Sequence, residues 1–174
     1  AQLSARDAYR TKLLFDMNRQ LQKAETPEEV YRMTAMQIQK LMQRDVLICP
    51  AQDGAFLDEM IYPADGRSPY SIPDADREQN VVQWVWQNRK RAGATTQNFP
   101  KAKRLYLAIR TGQQVFGVVG IPMEKQTQPD AFTSSVLFSI LGECALALES
   151  LHNAAEKEKA AVLAKNEQLR ANLL

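Results

Sequence analysis

The chain has 174 residues, 45% of them hydrophobic and 24% charged, a globular composition long enough to bury a core without staples. Its 22 basic and 20 acidic side chains leave a net charge of +2, which excludes a generally polycationic nucleic-acid binder. Two distant cysteines, Cys49 and Cys144, and a single histidine, His152, exclude a disulfide framework and a cysteine-caged zinc and argue against a multi-histidine metal site or a Ser-His-Asp triad.

Leu14, Met17, Leu21 and Ala24 recur at spacings of three and four, predicting a first helix over Leu3–Ala24. Thr26-Pro27-Glu28-Glu29 supplies an N-cap, a proline for the first helical position and a capping-box glutamate. A second helix is therefore expected over Pro27–Met42, with Val30, Thr34, Ile38 and Leu41 on one face. Val46-Leu47-Ile48-Cys49 is a short apolar strand run, Asp53-Gly54 a hairpin turn, and Ala55–Tyr62 a second strand. Pro63–Pro73, with three prolines, reads as a loop. Asp74–Asp76 are expected to cap a third helix carrying Val81, Trp84, Val85 and Asn88 along one side and ending near Arg91. Ala92–Pro100 reads as irregular. Leu105, Leu107 and Ile109 alternate with Arg104, Tyr106, Ala108 and Arg110 as a half-buried strand. Thr111-Gly112 turns the chain into a strand over Val115–Ile121, whose Gly117 and Gly120 suggest close backbone approach or a bulge.

Asp130–Leu174 has no proline and one glycine, Gly142. As one helix it would span roughly 68 Å, so its end should protrude. Leu141, Leu148, Ala155, Val162 and Leu169 recur every seven residues, one position of a coiled coil. At the companion position Cys144 and Leu151 fit, whereas Glu158, Lys165 and Asn172 do not. A dimer seam through Leu141, Leu148, Leu151 and Leu169 is expected, strong near the domain and loose beyond it. No apolar run approaches the ~20 residues of a membrane span, and no signal peptide opens the sequence, so a soluble, cytoplasmic chain is expected. The element order predicts an α+β fold of the GAF/PAS kind: an antiparallel sheet with helices on one face and a long C-terminal helix.

Ala92-Gly93-Ala94-Thr95-Thr96-Gln97-Asn98-Phe99-Pro100 fits a Gly-x-x-Thr-x-x-x-Pro pattern, followed by Leu105-Tyr106-Leu107 and Gly117-Val118-Val119-Gly120. Near the end come Ala145-Leu146-Ala147-Leu148-Glu149 and Glu167-Gln168-Leu169-Arg170-Ala171-Asn172-Leu173-Leu174. In this order the segments resemble the GAF-like domain of Kdp-type potassium-sensor histidine kinases, across essentially the whole chain, with Phe99 where that family often has leucine. The resemblance implies a connecting helix at 1–25, a GAF-like sensory domain at 26–150, and at 151–174 the start of the helix leading to the kinase dimerisation domain. It further implies a cytoplasmic domain of a parent kinase anchored in the inner membrane, with transmembrane helices just before residue 1. The partners implied are the downstream kinase domains and a response regulator, and no cofactor is expected.

His152 is followed by Asn153-Ala154-Ala155 rather than the acid, leucine and base of a phosphoacceptor box, and reads as a helix-surface residue. Cys49, in a strand core, and Cys144, on an apolar helix face, read as packing thiols. Charge is lopsided: Gln79–Met123 holds Arg89, Lys90, Arg91, Lys101, Lys103, Arg104 and Arg110 with no acid, whereas Arg44–Glu78 holds eight acids and three bases. The basic set suits either a small anionic ligand or contact with the acidic half. Arg104 and Tyr106 share a strand face and, with Trp84 and Phe99, are the ligand-pocket candidates; a pairing of Arg104 with Asp58 or Glu59 is the alternative. Trp84 and Trp86 cannot share one helix face.

The expected function is a sensory and regulatory module of a two-component sensor kinase that signals as a homodimer through its terminal helices, with no catalysis of its own and no nucleic-acid partner. A ligand-free dimerisation spacer and a small GAF-scaffold reductase using Cys49 and Cys144 are the alternatives.

Overall fold

A computed structural model describes residues 2–124 and 127–173. The elements are α1 (Gln2–Gln22), α2 (Pro27–Met42), β1 (Val46–Gln52), β2 (Ala55–Phe56), β3 (Met60–Tyr62), β4 (Tyr70–Ser71), α3 (Gln79–Asn88), β5 (Ala92–Gly93), β6 (Arg104–Arg110), β7 (Val115–Pro122) and α4 (Ala131–Leu173). The expected helix end at Leu174 lies outside the described residues. The strands form one antiparallel sheet in the order β4-β3-β1-β7-β6-β5, with β2 hairpinned onto β1. This is the expected α+β class.

The local signals act as their chemistry dictates. Thr26 Oγ1 accepts from the Glu29 N–H at 3.3 Å, and Glu29 Oε2 accepts from the Glu25 N–H at 3.0 Å, which fixes the start of α2. Asp53 and Gly54 both take positive φ, 52° and 80°, as a two-residue hairpin loop demands. The expected strand over Ala55–Tyr62 is broken instead: β2 and β3 flank Leu57–Glu59, where Leu57 N–H donates to Pro50 O. Asp74–Asp76 form a short 3-10 turn rather than a side-chain cap, because Glu78 stands between that turn and α3.

Period-two alternation divides the core between the sheet's two faces. Val46, Ile48, Leu105, Ile109, Val119 and Ile121 pack with α1, α2 and α4. Leu47, Cys49, Tyr106 and Val118 pack with Val81, Val82 and Val85 of α3. Tyr106, a ligand-pocket candidate in the sequence, is thus fully buried, because α3 covers the face opposite the three-helix layer.

In α4 the core face comprises Val136, Leu137, Ile140, Leu141, Cys144, Ala145 and Leu148, and every residue from Asn153 to Leu173 is exposed. By length and composition alone an 18-residue stretch of this helix would pass for a membrane span, which corrects the expectation from the sequence. Small polar residues such as Ser134, Ser135 and Ser139 interrupt the run without making it hydrophilic.

Candidate functional site

On the α3 side of the sheet, charged groups gather around one end of β6. Glu78 grips the strand twice: its Oε1 accepts from the Tyr106 hydroxyl at 2.9 Å and its Oε2 from the Lys103 N–H at 3.0 Å. Arg104 Nη1 donates to the Asp76 carbonyl at 3.2 Å, and Lys103 Nζ lies 3.9 Å from the Asp76 carboxylate. Glu59, only 4% exposed, accepts from Arg77 Nη2 at 3.2 Å. Burial, then the Glu78 carboxylate, pushes the Tyr106 hydroxyl well above its ordinary pKa. Burial, then Glu59, raises the Cys49 thiol, with Arg104 and Arg77 opposing.

Each sequence candidate can be placed against this geometry. Arg104 and Tyr106 share a face, as alternation requires, but their polar atoms are engaged by Asp76 and Glu78, and no face of the Tyr106 ring is open. Glu59 pairs not with Arg104 but with Arg77, which follows the short 3-10 turn at Asp74–Asp76. Trp84 and Phe99 meet edge-on with centroids 6.2 Å apart. Trp86 turns to Phe56 at 4.7 Å, so the two tryptophans do point apart. Phe99 lines a shallow pocket with Glu78, Asn80 and Val81, not with Tyr106. The acidic and basic halves therefore do meet at Lys103 and Arg104.

The motif around Gly93 is a turn-forming device. Gly93 has φ 97°, and a side chain there would collide with the Arg104 carbonyl. Its N–H donates to Asn98 O at 2.7 Å, and the Thr96 hydroxyl lies 2.7 Å from Gly93 O. Glycine and threonine are what that tight turn needs.

The thiols lie in separate cores on opposite sheet faces, Cys144 with α1, α2 and α4 and Cys49 with α3. Burial pushes Cys144 up to about 12. Such thiols are poor nucleophiles, which weighs against the reductase reading. His152 is half-buried beside Tyr31, Leu148 and Leu151 in a small pocket.

The expected dimer seam divides. Leu141 and Leu148 are each 4% exposed and belong to the chain's own core, and Leu151 packs half-buried against it. These leucines are not open to a partner helix, because α1 and α2 already cover that part of the stripe. Leu169 is 52% exposed and Val162 53%. α1 lies along α4: Arg10 donates to Ser135 Oγ at 3.0 Å and Ser139 Oγ at 2.9 Å, and Asn18 to Glu143 Oε2 at 3.2 Å.

This arrangement is the GAF-domain fold. The GAF domain of the Escherichia coli potassium sensor histidine kinase KdpD superposes with a TM-score of 0.66 at 18% identity, over 84% of this chain and 98% of that one. The GAF domain of an Acinetobacter phosphoenolpyruvate-protein phosphotransferase gives 0.61 at 11% identity, over 85% and 98%. That of a Bacillus halodurans two-component sensor histidine kinase gives 0.56 at 14%, over 76% and 99%. In sequence the chain is similar to the sensor protein KdpD of Clostridium acetobutylicum, 28% identical over 171 residues. That alignment covers 95% of this chain and 18% of that protein's length. No protein-family model matches the chain. The resemblance to the GAF-like domain of Kdp-type kinases is borne out.

Proposed function

We propose that the chain is the regulatory GAF module of a membrane-anchored, potassium-responsive two-component sensor histidine kinase, and that it passes its signal through α1 and α4. The parent's activity, ATP-dependent phosphorylation of a histidine and transfer to a response regulator, belongs to segments outside this chain. The observation that carries the proposal is α4 itself: one continuous helix whose first half is core and whose second half is fully exposed. Any change in core packing moves the exposed half as a rigid arm. Similarity to KdpD over 95% of the chain supports the kinase context.

In this reading two copies pair along the exposed half of α4, through Val162 and Leu169 rather than Leu141 and Leu148. Units 1–25, 26–150 and 151–174 then act as input helix, sensory body and output arm. A ligand-free spacer remains the second reading for the α3 side, favoured by the engaged state of Arg104 and Tyr106.

The test is helical phase. In the parent kinase, two residues inserted after His152 turn everything downstream by about 200°, whereas seven return it to within about 20°. Autophosphorylation should change with the first insertion and recover with the second. Equal activity at both phases would show that the arm transmits nothing.

A further inference from the structure

The basic residues of Gln79–Met123 do not all meet acids. Arg89, Lys90, Arg91 and Arg110 gather on the other side of β6 from Glu78, at the mouth of a cavity of about 660 Å³ between β6 and the first turns of α4. Its floor is Leu105, Leu107, Leu137 and Leu141. No acidic side chain lines it among the described residues. Arg89 is held by Gly112 O and Gln113 O at 3.2 and 3.0 Å, which fixes the mouth. Lys90, Arg91 and Arg110 make no ion pair among the described residues.

Two features keep the cavity open. β5 pairs only with Tyr106 and Leu105, so the outer edge of β6 from Leu107 to Arg110 is uncovered. Gly142 lines the cavity in mid-helix, and a Cβ built there meets nothing within 4 Å. Glycine is unfavourable in a helix relative to alanine, and no close contact requires it here. Its effect is to leave space above the leucine floor.

A leucine floor takes hydrocarbon, and a rim of unpaired cations takes negative charge. The volume is that of a small-ligand site. We propose that this groove binds a single small amphipathic anion, a hydrocarbon chain carrying a phosphate or carboxylate, with the chain on Leu105, Leu107, Leu137 and Leu141 and the head between Arg91 and Arg110. The site is distinct from the Arg104–Tyr106 cluster on the opposite face. Since α4 forms one wall, an occupant would brace the output helix against the sheet.

Calorimetry on the 174-residue chain tests this with monomeric octyl phosphate, octanol and inorganic phosphate. One-to-one binding of octyl phosphate is expected, at least about tenfold tighter than either half-ligand. Arg91→Ala and Arg110→Ala, both at exposed positions, should each weaken it about tenfold. Gly142→Leu should abolish it, while Gly142→Ala binds as the wild type and melts higher. The inference is overturned by equal affinity for octanol, by equal affinity for inorganic phosphate, or by binding that Gly142→Leu leaves intact. Absence of binding to octyl phosphate, or attachment only to phosphatidylglycerol vesicles, overturns it as well.

Discussion

Leu148 and Leu169 lie three heptads apart on one stripe of α4, and the fold gives them opposite duties. Leu148 is 4% exposed and packs in the three-helix core. Leu148→Ala should cost about 2–5 kcal/mol, lowering the melting midpoint by roughly 10 °C for a domain of this size. Leu169 is 52% exposed, beyond the core, so Leu169→Ala should change folding stability by less than about 0.5 kcal/mol. In a dimer, burying the exposed half of that side chain is worth about 1 kcal/mol per chain, so the variant should weaken association about thirtyfold. Thermal circular dichroism and sedimentation velocity over a concentration series separate the two effects. The reasoning fails if Leu148→Ala melts like the wild type and dissociates, or if Leu169→Ala melts early and still associates. A wild type that is monomeric at every concentration removes the seam altogether.

Gly120 faces Tyr106 across β6 and β7, and a Cβ there would stand 2.8 Å from the Tyr106 ring. Because that ring is fully buried and tethered to Glu78, Gly120→Ala should destabilise by about 1–3 kcal/mol; urea midpoints unchanged from wild type would count against the tether. Stability should also decline in alkali. The unfolded thiol of Cys144 ionises near pH 9, whereas the folded one holds its proton to about 12, so above pH 9 the native state binds more protons. Its contribution, fully present below that pH, is lost at up to about 1.4 kcal/mol per pH unit, with Cys49, Tyr31 and Tyr106 raised in the same direction. Urea midpoints that stay level from about pH 8 to about pH 11 would refute this account of the buried groups.

Where one residue type had one job, the sequence was legible. Thr26-Pro27 marked the start of α2 to the residue, because only a cap and an N1 proline explain that pair. Asp53-Gly54 marked its hairpin for the same reason. Legibility failed where a residue's role depended on what covers it. Tyr106 shares its strand face with Arg104, so that face read as the wall of a polar ligand pocket. The contrary signal lay in β1 and β7, whose Leu47, Cys49 and Val118 are apolar on that same face, the mark of a sheet covered on both sides. The heptad stripe was real, but periodicity cannot distinguish a partner chain from the chain's own α1 and α2. Glu59 gave no local signal, since its partner Arg77 comes from a turn 18 residues away. The groove under Gly142 was invisible because an absent side chain leaves no pattern.

The two helices that flank α4 hold it differently, and this decides which can move. α2 meets it through an apolar seam that includes Val30, Ile38, Ile140 and Cys144. α1 contributes Leu13, Met17 and Leu21 to that core, and Ala24 follows just after it, but the residues of α1 before Leu13 are mostly exposed. That first stretch is held by Arg10 on Ser135 and Ser139, by Tyr9 6.3 Å from Phe132, and by Arg6 5.1 Å over the Phe132 ring. Half-buried polar and ring contacts of this kind are each worth about 0.5–2 kcal/mol, less than the apolar seam taken together. The start of α1 should therefore open locally while the rest stays docked. Arg10→Ala should speed amide exchange of residues before Leu13 about tenfold and leave Met17–Ala24 protected, with the global melt nearly unchanged. If protection is lost evenly along α1, the helix detaches as a unit, and a signal entering at its N-terminus would have to break the core to be felt.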